Sequence, residues 1–275
     1  MVGPAPRDPD REPVSEAIYT LEDGQFVPSG HARGPWDPGS QHGGPPAALL
    51  VRAVEALDAP GPMLLSRLTI EYLGAVPLAP LEVSAQVVRP GRRLQLAEGS
   101  IVAEGREVCR ARAVRLRREA VEVPDAAVSS ARIAGPEGVE PFDKSPAPHG
   151  EDEGFALTGM ELRFVAGTFV APGPSTAWFR LRMPLVAGEE PTPGQRLAVA
   201  ADFGNGIGAE LDFATHLFVN TDLTIHAVRE PVGEWIGVEA RTEHGPEGTA
   251  TAWSRLHDER GPVGLAAQSL YVAAR

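Results

Sequence analysis

The sequence predicts an α+β protein made of two tandem copies of one unit, each a single helix wrapped by an antiparallel β-sheet. Three observations carry this prediction. The tripeptide Leu68-Thr69-Ile70 recurs as Leu223-Thr224-Ile225, 155 positions later, and the chain downstream of each stays in step at nearly that offset. The segments after each tripeptide alternate apolar and polar residues with period two and are separated by glycine- or proline-containing turns. Ahead of each tripeptide lies one apolar stretch opened by proline. A length of 275 residues suits two units of about 130 each.

In chain order, the first helix is expected over residues 45–57, where Pro45 and Pro46 fall in the first turn and lose no needed N–H. Nearly every following position is apolar, so this helix should be buried on most sides. Strands follow at Leu68-Thr69-Ile70, at residues 81–87, 97–102 and 108–116, with turns at Arg89-Pro90-Gly91 and Glu104-Gly105. The second helix opens at Pro193, runs through Leu197, Ala198, Val199, Ala200 and Ala201, and ends at Asp202-Phe203-Gly204. Its strands are expected at Leu223-Thr224-Ile225 and at residues 236–242, 252–257 and 263–272. Between the copies, residues 119–153 are rich in proline, glycine and acid, which reads as a linker or long excursion. The division is therefore 1–125 for the first copy, with an extended tail to about residue 16, 126–153 for the linker and 154–275 for the second copy.

Composition narrows the function. With 25 basic against 37 acidic residues the net charge is −12, which gives no electrostatic case for nucleic acid or an anionic membrane as partner. No apolar run approaches the ~20 residues of a membrane span. Residues 1–16 contain nothing resembling a secretory signal, so a cytoplasmic location is expected. Cys109 is the single cysteine, which excludes intrachain disulfides and thiolate metal clusters. There is no Gly-x-Ser-x-Gly elbow, no His-Glu-x-x-His, no phosphate-cradling loop and no dinucleotide fingerprint.

A long buried helix wrapped by a sheet, present twice, is the pattern of a double hotdog, and the chain resembles the acyl-CoA thioesterase family of the TesB type, more closely its thioesterase-like branch. The residues that carry the resemblance are Gln41-His42-Gly43-Gly44, Arg89-Pro90-Gly91-Arg92-Arg93, Ala201-Asp202-Phe203-Gly204, the run from Phe218 through Asn220-Thr221-Asp222 to His226, Pro231-Val232-Gly233-Glu234-Trp235, and Gln268-Ser269-Leu270. They span about 220 residues in the right order. The resemblance implies hydrolysis of an acyl-CoA to a free acid and CoA in fatty acid metabolism. CoA is then part of the substrate, with no separate cofactor and no metal, and association into a homodimer or higher homo-oligomer through the sheets is expected.

Differences between the copies point to a site. Asp202 stands where the first helix has Val54, and Gln268 stands where the first copy has Ala113. A carboxylate in so apolar a helix is costly unless paired; alternatively it caps the Gly204 or Asn205 amide. By resemblance Asp202 is the general base and Gln268 orients the attacking water. The family's third residue, a threonine, falls on Asn220 when matched through Asp222 and Thr224. Strand alternation instead puts Thr221 on the core face with Leu223 and Ile225, unless a bulge reverses the phase; both Asn220 and Thr221 stay as candidates. Gly43 and Gly44, at a helix start, offer backbone N–H groups to a carbonyl, with His42 beside them. Arg89, Arg92 and Arg93 either meet CoA phosphates or form an ordinary solvated turn. Two rival functions remain: a non-catalytic acyl-CoA-binding protein, and hydration of an enoyl thioester, which calls for a histidine near Asp202 that the local sequence does not supply.

Overall fold

Asp23 and Gly24, with φ of 48° and 83°, turn the chain between two short strands, β1 (Tyr19–Glu22) and β2 (Gln25–Pro28). Positive φ at both central residues is the tight-hairpin signature, and Asp-Gly is a sequence pair that adopts it readily. This hairpin opens the computed structural model, which describes residues 16–129, 131–143 and 154–275. The expected tail before residue 16, and the linker positions 130 and 144–153, lie outside the described residues.

The first copy continues with α1 (Gly44–Glu55), β3 (Met63–Tyr72), β4 (Leu81–Arg89), β5 (Leu94–Ala103) and β6 (Arg106–Arg117). After a π-helical turn at Phe155–Gly159, the second copy supplies β7 (Met160–Ala166), β8 (Ser175–Leu181), α2 (Pro193–Ala201), α3 (Gly204–Ile207), β9 (His216–Asn220), β10 (Asp222–Ala227), β11 (Ile236–His244), β12 (Thr249–Asp258) and β13 (Gly261–Ala274). All strands join one sheet in the order β1-β2-β4-β5-β6-β3-β10-β13-β12-β11-β8-β7, with β9 paired to β13. The order reads the same from both ends once each strand is replaced by its counterpart. The chain is thus a double hotdog, an α+β fold.

The centre of that symmetry is the repeat itself. Strands β3 and β10 pair antiparallel, with Leu68, Thr69 and Ile70 opposite Ile225, Thr224 and Leu223. Thr69 and Thr224 face each other across the seam with their hydroxyls 3.3 Å apart. Inside the curl of the sheet, α1 packs on α2 and against β4 and β5, while α2 packs on β11. Glycine permits the close helix crossing at both ends. A Cβ on Gly44 would lie 3.0 Å from the Val199 carbonyl, and one on Gly194 3.1 Å from Val51.

The residues Gly44 to Val51 of α1 are all buried, as the apolar run predicts. Full burial of Leu49 or Leu50 contributes about 1.5–3 kcal/mol each. A capping box formed by Thr192 and Gln195 starts α2. The described part of the linker lies on the second copy: the Trp178 indole donates to the Ala134 carbonyl at 2.6 Å, and the Phe142 amide to Leu162 at 2.7 Å. No helix among the described residues is long and apolar enough to cross a membrane.

Candidate active site

Asp202 sits in the link between α2 and α3 and is only 3% exposed. Its carboxylate meets four side chains from both copies. Oδ1 accepts from Asn220 Nδ2 at 3.0 Å, and from Tyr72 Oη and Gln268 Nε2 at 3.4 Å each. Oδ2 lies 2.9 Å from His42 Nδ1. A buried carboxylate needs such donors to offset lost hydration.

Backbone irregularity delivers Asn220. Strands β9 and β10 break at Thr221, which resets the alternation and turns Asn220 to the interior along with Leu223 and Ile225. The first copy has the same device: pairing of β3 with β6 shifts register at Ser66, 155 positions before Thr221. The simple alternation that favoured Thr221 is therefore corrected. The Thr221 hydroxyl donates to the Ser269 carbonyl at 3.3 Å, away from the carboxylate, although Thr221 lies on the pocket wall.

Gln268 is 2% exposed and is not among the residues lining the pocket. It sits behind the carboxylate. Its Nε2 donates to the Asp202 backbone carbonyl at 3.2 Å, and its Oε1 accepts from the Asn205 amide at 2.9 Å. The alternative that Asp202 caps Asn205 is thereby overturned, because Gln268 already takes that amide. In this position Gln268 holds the α2–α3 link and reaches the Asp202 carboxylate from behind.

The first copy closes the site. A Cβ on Gly43 would lie 2.8 Å from both Asp202 Oδ2 and Tyr72 Oη, so only glycine fits. Tyr72, at the end of β3, shares its single O–H between the Gly43 carbonyl at 3.0 Å and Asp202 Oδ1 at 3.4 Å. Burial, and then the Asp202 charge, push the Tyr72 phenol well above its ordinary pKa, so it stays a donor. His42 stacks on Phe203 at 4.4 Å and tilts against Phe155 at 5.2 Å. Its neighbour Gln41 is fixed by the Tyr19 hydroxyl and by the Pro77 carbonyl.

The expectation of two free glycine amides holds for Gly43, and for Gly44 only while His42 Nδ1 donates to Asp202. Gly44 N–H points at His42 Nδ1, 3.1 Å away, and Pro45 and Pro46 have no N–H. Among the described residues Gly43 N–H is the unpaired donor at the start of α1. His42 Nδ1 can serve one neighbour at a time: protonated it donates to Asp202, unprotonated it accepts from Gly44.

These groups form the polar end of a cavity of about 280 Å³. The rest of its wall is largely apolar, with Trp36, Val76, Phe169, Phe203, Phe213 and Val219. Trp36 stacks on Phe213 at 5.3 Å, which in turn packs on Phe218 at 4.6 Å. Arg89, Arg92 and Arg93 are not on this wall. They border a separate surface hollow with Arg117. Arg117 pairs with Met63 at the far end of β3 from Tyr72, and nine residue steps along a strand are about 30 Å. A contact between this hairpin and the polar end of the pocket is thus excluded. Cys109 is buried, and burial pushes its thiol far above the ordinary range, so it is no nucleophile. Among the described residues no group of three or more His, Cys, Asp or Glu is arranged to hold a metal ion.

Tyr72 and the spatial pairing of His42 with Asp202 were not legible in the sequence. The available signal for Tyr72 was copy comparison, since its counterpart at the same offset is Ala227.

Residues 32–116 match a family model described as the acyl-CoA thioesterase N-terminal domain, and residues 136–272 match one described as the acyl-CoA thioesterase C-terminal domain. Among solved structures, a hot dog fold protein of unknown function from Alicyclobacillus acidocaldarius is similar over 94% of this chain and 96% of that chain, with 19% identity and a TM-score of 0.71. Acyl-CoA thioesterase II TesB2 from Mycobacterium marinum is similar over 93% of this chain and 94% of that chain, with 16% identity and a TM-score of 0.63. At such identities the likeness is one of fold. No curated protein is a significant match.

Proposed function

The chain belongs to the acyl-CoA thioesterase family, and from that premise we propose that it hydrolyses an acyl-CoA to a free acid and CoA with Asp202 as general base. The observation that carries this reading is the buried Asp202 carboxylate on the wall of an apolar pocket, with Asn220 bonded to it at 3.0 Å. Both Asn220 Nδ2 hydrogens have acceptors, in Asp202 Oδ1 and the Asp222 carbonyl at 3.4 Å. Its Oδ1 is left to accept from a water that also donates to Asp202.

In the proposed reaction Asp202 removes a proton from that water as its oxygen attacks the thioester carbonyl carbon. The resulting oxyanion faces Gly43 N–H and the positive end of α1. The C–S bond then breaks, the CoA sulfur leaves with its electron pair and takes the proton back from Asp202, and the acid departs. Tyr72 and His42 hold the carboxylate, and Gln268 holds its backbone. The aromatic wall takes the acyl chain. Asparagine replaces the family threonine without loss of a water acceptor.

One observation favours a second reading, hydration of an enoyl thioester. His42 lies 2.9 Å from Asp202 and supplies in space the histidine missing from the local sequence. A panel of saturated and 2-enoyl-CoAs separates the two readings. Thiol release detected with a thiol reagent, lost in Asp202→Asn, supports hydrolysis. Loss of the enoyl absorbance without thiol release supports hydration, and binding with neither change leaves a non-catalytic acyl-CoA-binding protein.

A further inference from the structure

The pseudo-twofold through Thr69 and Thr224 carries the active-site pocket onto a second cavity, of about 410 Å³. At this mate Asn220 is replaced by Leu65, Tyr72 by Ala227, Asp202 by Val54 and Gln268 by Ala113. The water-holding set is gone, yet the cavity has not been filled by larger side chains. Instead four charged residues line it, Glu55, Arg115, Arg229 and Glu230; Arg229 is paired with Asp258 and Glu230 with Arg118, which leaves Glu55 and Arg115 without an ion-pair partner among the described residues.

Arg115 is only 6% exposed. Its Nη1 donates to Gln95 Oε1 at 3.1 Å and to the Asp58 carbonyl at 3.3 Å. Among the described residues, no acceptor within hydrogen-bonding distance meets its Nε or Nη2, which are not sealed from solvent, and Glu55 acts on it only through its charge. A buried guanidinium with open donors is an anion site with planar geometry suited to a carboxylate. Glu55 accepts from the Thr192 hydroxyl at 2.7 Å. Burial raises its pKa and outweighs the Thr192 bond; Glu230, from the loop after β10, raises it further, while Arg115 on β6 lowers it. The other nearby charges are already engaged: Arg52 with Glu189, and Arg229 with Asp258. A neutral Glu55 is a donor to a second carboxylate, as Arg115 is. Met63, Leu64 and Leu197 give the remaining wall an apolar character.

We propose that this second cavity binds an aliphatic monocarboxylic acid, its carboxylate between Arg115 and Glu55 and its chain against Leu64, Leu65 and Leu197. The site rests on its own geometry. Only the identification of its ligand class with the product of hydrolysis rests on the proposed function.

Decanoate binding to the full chain, followed by calorimetry, tests this. Two decanoates per chain are expected, one in each pocket. Asp202→Asn serves as the reference in which the active-site pocket alone is altered. Arg115→Gln should weaken one of the two sites by at least about tenfold, and Leu64→Trp, which fills the cavity, should abolish the same one. Glu55→Gln keeps a donor that cannot ionise, so it should retain both sites and remove any loss of binding that wild type shows as pH rises through the Glu55 titration. If Arg115→Gln does not fold, as judged by its melting transition, Leu64→Trp decides. If no bound decanoate is weakened by Arg115→Gln or lost in Leu64→Trp, the proposal is overturned; a single decanoate lost in both variants keeps it. A chain that binds two decanoates but releases no thiol from any acyl-CoA keeps this site and loses the hydrolase reading.

Discussion

The two pockets share one backbone plan and differ in what lines them. Each lies between the start of one helix and the end of the other, and each has a strand irregularity beside it, at Thr221 in one and Ser66 in the other. Around the first, four side chains converge on a buried carboxylate; around the second, aliphatic residues stand at the same places and two charges, Glu55 and Arg115, stand without an ion-pair partner among the described residues. Eight of the nine phenylalanines fall after residue 141, in the second copy and the segment leading to it, and many of them pack around the first pocket. The comparison teaches that the bulge is a property of the scaffold, not of the chemistry. It turns position 220 inward whether or not a polar residue is there to use it.

Removing the carboxylate should break the difference most completely. Asp202→Asn is expected to lower kcat by about 10²–10⁴-fold, the range for loss of a general base, while the circular dichroism spectrum and melting transition stay close to wild type. Next in size is Gly43→Ala, whose methyl would press on Asp202 and Tyr72 at 2.8 Å. A drop in kcat of about 10²-fold with little change in KM is expected from misplacing the base; unchanged turnover would show that the close approach has no catalytic role. Gln268→Ala gives the second copy the residue the first copy has at that place. It leaves the buried Asn205 amide without its acceptor, so chemical denaturation should show a loss of about 1–3 kcal/mol together with reduced turnover.

A test beside the second pocket uses Asp258, the ion-pair partner of the lining residue Arg229. Burial alone would raise its pKa, but the Arg229 fork and the Val232 and Arg260 amides together hold it below the ordinary value. A depressed carboxylate stabilises the fold above its unfolded pKa of about 3.9, and that contribution is lost as pH falls through the folded value. Asp258→Asn should therefore be less stable than wild type at neutral pH, by about 1–3 kcal/mol, and the gap should close as acid unfolding is approached. The smallest effect belongs to Arg92→Gln, in the β4–β5 turn beside the end of β3 far from the carboxylate, which should leave kcat/KM within about twofold. A larger loss would reinstate the arginine hairpin as a substrate contact.

Much of the fold was legible because duplication turns a weak local signal into a correlated one. The apolar run of α1 and the strands β4, β5, β11 and β12 stand near the positions that periodicity implies. The hairpin β1–β2 was not read, although Asp23-Gly24 marks its turn, because four-residue strands show too little alternation. At the site, Asp202 and Gln268 stand out as polar residues in apolar settings. The orientation of Asn220 depends on a bulge that has no residue signature, and the closeness of His42 and Tyr72 to Asp202 is set by pairing between distant segments.

The seam at Thr69 and Thr224 has a consequence for the integrity of the molecule. A continuous ladder between β3 and β10, and helices crossing at Gly44 and Gly194, join the halves directly. A peptide link between two such halves raises the effective concentration of one near the other. The halves behave as two subunits sharing a peptide bond, and the active site, which takes residues from both, is an interface site within a single chain.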